Sequence, residues 1–318
     1  QGNLVFSTLL GGSNNEEVFD LANDRITNIL EMPDGTIVVS GYTYSIDMPY
    51  TDGTIDPSGN GNIFLAAYSP EGQLLWNKGF IDDEATDRFS MAVHPDGQQL
   101  IIYTSGNGGG SNNFIITPDA VQPNYGGGNF DSYIAFIDPS DGNTTYGTWY
   151  GGSSTDYPRG GSSSNEIFVS NNDILFTGVS FSSDFITTPE SATNKQYGTF
   201  LVMNGQGQVK MATRTNILVE KLYMNDEVIY ALGMNDYSAV QPSNATINAF
   251  QSESNSPDDN RQGVITLIRR CDGQVAYQTY LGGKTNYAGL GEYWYLAGEY
   301  LGAGQPRFIG SKLYAGAE

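Results

Sequence analysis

Trp149-Tyr150-Gly151-Gly152 closes a strand with an aromatic pair and two glycines, and the same ending returns at Leu9-Leu10-Gly11-Gly12 and Tyr280-Leu281-Gly282-Gly283. A degenerate copy, Trp76-Asn77-Lys78-Gly79-Phe80, lies between the first two, and a fourth with its glycines lost fits at Thr213 to Asn216. Four intervals then average about 68 residues, a period of the kind that marks repeat architectures.

Two further markers recur in fixed order. One is a β-branched and aromatic strand ending in glycine: 36–41, 99–106, 173–178 and 227–233. The other is an apolar strand running into a turn: 63–72, 133–142, 199–205 and 264–273. The first unit reads as four strands, Arg25 to Glu31, Thr36 to Thr43, Ile63 to Ser69 and Gln73 to Phe80. Its hairpins are Pro33-Asp34-Gly35 and Pro70-Glu71-Gly72, because proline presets φ and glycine accepts positive φ in a tight turn. Strands two and three are instead joined by long Gly/Ser/Asn/Pro-rich connections, 44–62, 107–132, 179–196 and 235–262.

A four-stranded antiparallel sheet with apolar residues on both faces cannot be buried alone, and stacking such sheets around an axis buries them. The fold class predicted is therefore all-β, a β-propeller of four-stranded blades. Four units are complete and a fifth is partial or compact. Residues 1–318 read as one propeller domain, or as the N-terminal part of a longer multi-module surface protein. Leu4 to Leu10 reads as an outermost strand. In the fifth unit Gly291–Gly298 and Arg307–Leu313 fit as second and third strands, or Arg307–Leu313 as the second, which the spacing from Gly283 favours.

These residues resemble a known family. Leu4-Val-Phe-Ser-Thr-Leu-Leu-Gly-Gly-Ser13, Ser40-Gly-Tyr-Thr-Tyr-Ser-Ile-Asp-Met-Pro49, Phe114-Ile-Ile-Thr-Pro-Asp-Ala-Val-Gln122 with Tyr125-Gly-Gly-Gly128, and Ser183-Asp-Phe-Ile-Thr-Thr-Pro189 are similar to the bacterial SBBP-type, seven-bladed propeller repeat. The resemblance covers nearly the whole chain, with the fourth unit departing from it. It implies large secreted or cell-surface bacterial proteins with adhesive or scaffolding roles, and it fixes no catalytic residue.

Composition narrows the partners. Thirty-five acidic against 14 basic residues give a formal charge of −21, which repels polyphosphate backbones and anionic membranes. Nucleic acid is not an expected partner. Apolar runs such as 36–40 and 228–232 are strand-sized, far below the roughly 20 residues of a membrane helix, so no membrane insertion is expected. Cys271 is the single cysteine and excludes an internal disulfide framework. The chain enters a strand-like run soon after Gln1, as expected of a secreted chain whose targeting segment has been removed.

The chemistry in the sequence is sparse. His94 is the only histidine, so multi-His zinc sites and HExxH are impossible; within His94-Pro95-Asp96-Gly97 it reads as a turn residue. No GxSxG elbow exists and Cys271 lies in a hairpin turn, which argues against acyl-transfer hydrolysis. The expectation is that the chain is not an enzyme. Glycine runs 106–110 and 126–128 read as loop glycines, without the Lys-Ser/Thr of a phosphate loop. No cofactor is expected, with Ca²⁺ the one left open: Asp82, Asp83 and Glu84 are candidate oxygen ligands, weighed against a plain solvated loop.

The long connections carry aromatics, Tyr44, Tyr50, Tyr125, Phe181, Tyr197 and Tyr237, among small polar residues. A rigid ring gives contact area and small polar neighbours adapt, the mixture that binds sugars and protein surfaces. The bland alternative is that these rings pack the loops onto the sheets. The functional expectation is an extracellular adhesive or structural module at the cell surface. It would contact protein or glycan, or further modules of its own chain, through loops on one face. Alternatives are a glycan-binding or glycan-hydrolysing propeller and a self-assembling filament component.

Overall fold

The computed structural model describes residues 4–13, 25–52, 62–80, 88–108, 114–158, 166–188, 197–235, 245–252, 263–281, 307–309 and 312–314. The chain divides into two compact units, residues 1–162 and 163–318.

The first unit holds two antiparallel sheets in sequential order. One is β1 (Arg25–Glu31), β2 (Ile37–Thr43), β3 (Asn62–Tyr68) and β4 (Leu74–Phe80); the other is β5 (Phe89–Val93), β6 (Leu100–Gly106), β7 (Asp131–Ile137) and β8 (Thr144–Tyr150). A short strand, β9 (Asp156–Pro158), follows. The second unit repeats the plan with β10 (Ile167–Ser170), β11 (Asp173–Ser180), β12 (Gly198–Asn204) and β13 (Val209–Thr215), then β14 (Ile217–Met224), β15 (Val228–Asn235), β16 (Gly263–Arg269) and β17 (Val275–Leu281). The first-sheet bounds agree with the sequence reading to within a residue. Spacing between sheets is uneven, because β13 passes into β14 through Asn216 alone while residues 81–88 separate β4 from β5.

One hairpin recurs in all four sheets. The third and fourth strands are joined by a turn whose last glycine takes positive φ, Gly72 (86°), Gly142 (70°), Gly207 (76°) and Gly273 (71°). The pairing register then slips beside each turn, at Ala67/Tyr68, Phe136/Ile137, Val202/Met203 and Leu267/Ile268. This is the turn-plus-bulge hairpin that an αL glycine makes inexpensive. Gly142 is doubly constrained, since a Cβ there would also lie 2.8 Å from the Trp76 ring.

The central strands β3, β6, β7 and β11 are buried along their full length, which is why they read as continuous apolar runs. Between the two sheets of the first unit lies an aromatic-rich core containing Tyr42, Trp76, Phe80, Phe89, Phe114, Tyr133 and Trp149. The second unit has an aliphatic and methionine core including Leu175, Val202, Met211, Leu222, Met224 and Ile268. Each large apolar side chain so buried contributes about 1.5–3 kcal/mol.

Two expectations are corrected. Residues 4–13 contain no strand. A strand exists only against a partner edge; here Phe6 lies on the turn at Gly72, Ser13 bonds Asp47, and Leu9 stays 99% exposed. The run Arg307–Leu313 is likewise not one strand but a hairpin, β18 (Arg307–Ile309) with β19 (Lys312–Tyr314). The intervening Gly310-Ser311 is turn chemistry. Gly291–Gly298 lies outside the described residues.

Candidate functional site

The long connections between second and third strands are straps. In every sheet a threonine of the connection donates its backbone N–H to a carbonyl on the outer edge of the fourth strand. The pairs are Thr51 to Asn77 (2.7 Å), Thr117 to Gly147 (3.0 Å), Thr188 to Ala212 (2.9 Å) and Thr246 to Gln278 (2.9 Å). In three of the four the returning N–H finds the same threonine's hydroxyl oxygen: Asn77, Gly147 and Gln278. Five residues on, Gln122 and Gln251 repeat the contact, donating N–H to the hydroxyls of Thr148 and Thr279 (both 2.9 Å) and accepting from the N–H of Trp149 and Tyr280. Each strap thus occupies part of an edge that would otherwise offer unpaired backbone to another chain. The signal, Thr-x₄-Gln, stands in the sequence twice among many loop threonines and was missed there.

The aromatic residues divide between anchors and exposed rings. Tyr50 is an anchor, its ring set over Gly79 against Val39, Met48, Phe64 and Ala66. Tyr125 is another, edge-on to Trp149 at 5.4 Å with its hydroxyl donating to the Gly128 carbonyl. Tyr44 is half-buried. Phe181 is 50% exposed and pairs with Tyr197, ring centroids 4.9 Å apart and tilted at 52°. The structure brings these two of the six together. Tyr237 lies outside the described residues, as do Asp82, Asp83 and Glu84.

Acidic groups gather elsewhere. Asp131 and Asp156, both fully buried, crowd Gly151, where any side chain would overlap the Asp131 carboxylate. Asp131 accepts from the Gly126 N–H (2.5 Å) and Asp156 from the Gly152 N–H (2.6 Å), so these carboxylates hold the glycine loops in place. Among the described residues no group of three or more His, Cys, Asp or Glu side chains could hold a metal ion. His94 is 4% exposed, its Nδ1 2.9 Å from Asp96 Oδ1 and its ring against Phe136, and it sits in the predicted turn. Burial raises the Asp96 carboxyl, but the Gln98 N–H and His94 outweigh it and hold it below the usual carboxylate range. Cys271 is a free, exposed thiol. Among the described residues no helix is long and apolar enough to cross a membrane.

No protein-family model and no curated protein matches the chain. Among solved structures it is similar to the β-propeller domain of the Trilobed protease from Pyrococcus furiosus, at 7% identity and a TM-score of 0.37, covering 83% of this chain and 58% of that one. It is also similar to Pyrococcus horikoshii acylaminoacyl peptidase, at 14% identity and a TM-score of 0.34, covering 79% and 31%. A third is the quinohemoprotein alcohol dehydrogenase of Comamonas testosteroni, at 11% and 0.37, covering 80% and 46%. The chain thus spans less than two thirds of each. These similarities correct the expectation that the chain is not an enzyme, since a peptidase and a dehydrogenase stand among them. The lone His94 and the missing GxSxG exclude particular catalytic sets, not catalysis. No residue role or reaction carries over at this distance.

Proposed function

We propose that the chain is a β-propeller of SBBP-type repeats. Its role is that of an extracellular binding module of a bacterial surface protein, contacting protein or glycan through its strapped connections. The observation that carries the reading is the combination in the third sheet of a connection anchored by Thr188 on Ala212 with an exposed Phe181 ring set against the half-buried Tyr197. Anchoring lowers the entropy lost on binding, and an exposed ring backed by a second aromatic supplies a contact patch of the kind that dominates recognition surfaces. Tyr44 precedes Ser45-Ile46-Asp47 as Phe181 precedes Ser182-Ser183-Asp184, so the same position of the repeat offers a ring in both sheets.

The test is a screen of the purified chain on a glycan array and on bacterial and host surface proteins, repeated with Phe181→Ala/Tyr197→Ala. Binding that falls at least tenfold in the double variant supports the reading. A ligand held equally well by both proteins, or none in either screen, overturns it.

A further inference from the structure

Four arginines have described side chains, and three of them spend their N–H groups on oxygen. Arg269 pairs with Asp272, Arg270 pairs with Asp173 and bonds the Asn225 carbonyl, and Arg214 donates to the Ser180 and Ser182 carbonyls. Arg88 differs. Its guanidinium carbon lies 3.6 Å from the centre of the Tyr157 ring and 5.9 Å from that of Phe130, and it makes no ion pair or side-chain hydrogen bond among the described residues. In a chain where acids outnumber bases 35 to 14, a half-buried arginine stacked on rings rather than paired is unusual, because an ion pair or a hydrogen bond to oxygen is the ordinary partner of such a group.

The platform under it is fixed. Asp156 donates its N–H to the Phe130 carbonyl (2.7 Å) and accepts from Gly152, which sets Tyr157 beside Phe130. The Arg88 carbonyl accepts from the Thr104 hydroxyl (2.9 Å), which sets the arginine backbone. Stacking occupies the face of a guanidinium and leaves its edge, the planar fork of donors that matches a carboxylate bidentately.

We propose that Arg88, held on Tyr157 and Phe130, is a recognition site for a single carboxylate group of a ligand. The net charge of −21 disfavours phosphate esters and polyanions, and a lone carboxylate carries the smallest charge the fork can read. The site uses neither Phe181 nor Tyr197, the pair on which the proposed function rests, so its failure leaves that reading untouched.

The experiment is an NMR titration of the native chain, following the Arg88 Nε–H signal, with sodium acetate against acetamide at constant ionic strength, repeated with glucuronate and with the free C-terminal carboxylate of acetyl-Gly-Ala. The expected result is a saturable shift with acetate, none with acetamide, and at least tenfold weaker binding in Arg88→Lys, which keeps the charge and loses the fork. Tighter glucuronate binding identifies a sugar acid as the source, and tighter peptide binding a protein terminus. No saturable shift with any carboxylate, an equal response to acetamide, or undiminished binding in a folded Arg88→Lys protein overturns the proposal.

Discussion

The two units join their sheets by different physics. In the first, the fourth strand of one sheet reaches the outer turn of the next through Trp76, whose indole N–H donates to the Pro139 carbonyl (2.7 Å), above a core where Phe114, Tyr133 and Trp149 meet within 4.4–5.6 Å. In the second, the corresponding turn carries Arg270, which reaches across to Asp173 on β11, and Lys210 completes the group from β13 (2.8 Å). The same repeat therefore tolerates an aromatic or an ionic joint at one place in the fold. The aromatic joint gains from area and edge-to-face geometry, whereas the ionic one trades desolvation against attraction and is strongly felt only when one partner is lost.

That contrast can be broken by substitution. Trp149→Ala removes the centre of the aromatic joint and is expected to cost about 3–5 kcal/mol, read as a lowered urea midpoint of the first unit. Asp173→Ala leaves Arg270 buried without its carboxylate and is expected to cost about 3 kcal/mol, while Asp173→Ala/Arg270→Met recovers most of it; a double variant as weak as the single would show that the joint is not ionic in origin. Gly142→Ala, which forces positive φ onto a side chain and pushes it against Trp76, is expected to cost about 1–3 kcal/mol.

The smallest effect is set by pH. Burial pushes the Tyr146 phenol up to about 12, so its contribution is fully present below the ordinary tyrosine value of about 10 and is lost as pH rises from there toward 12. The first unit should therefore weaken in that window, and Tyr146→Phe should flatten the dependence in a thermal-melt series.

Much of this fold is written locally. Pro33-Asp34-Gly35 and Pro70-Glu71-Gly72 punctuate apolar runs so strongly that β1 to β4 follow from them. What local sequence does not encode is partnership. Leu4–Leu10 has a strand's composition but no edge to pair with among the described residues. Arg307–Leu313 has a strand's length but holds Gly-Ser at its centre. The straps depend on where Thr51, Thr117, Thr188 and Thr246 land relative to a distant edge, and threonine is common in every loop here. Asp131 and Asp156 look like surface acids until the glycine loops close over them. Of the six aromatics, anchors such as Tyr50 and exposed rings such as Phe181 share the same loop context, so only packing separates them.

The claim on which both the fold and the proposed binding face depend is that the connections are straps fixed to the fourth strands. Native-state hydrogen exchange at the amides of Thr51, Thr117, Thr188 and Thr246 tests it most directly. Protection approaching that of the central strands β3, β7 and β11 is the predicted result. Exchange at the rate of free loop amides at all four positions would contradict it.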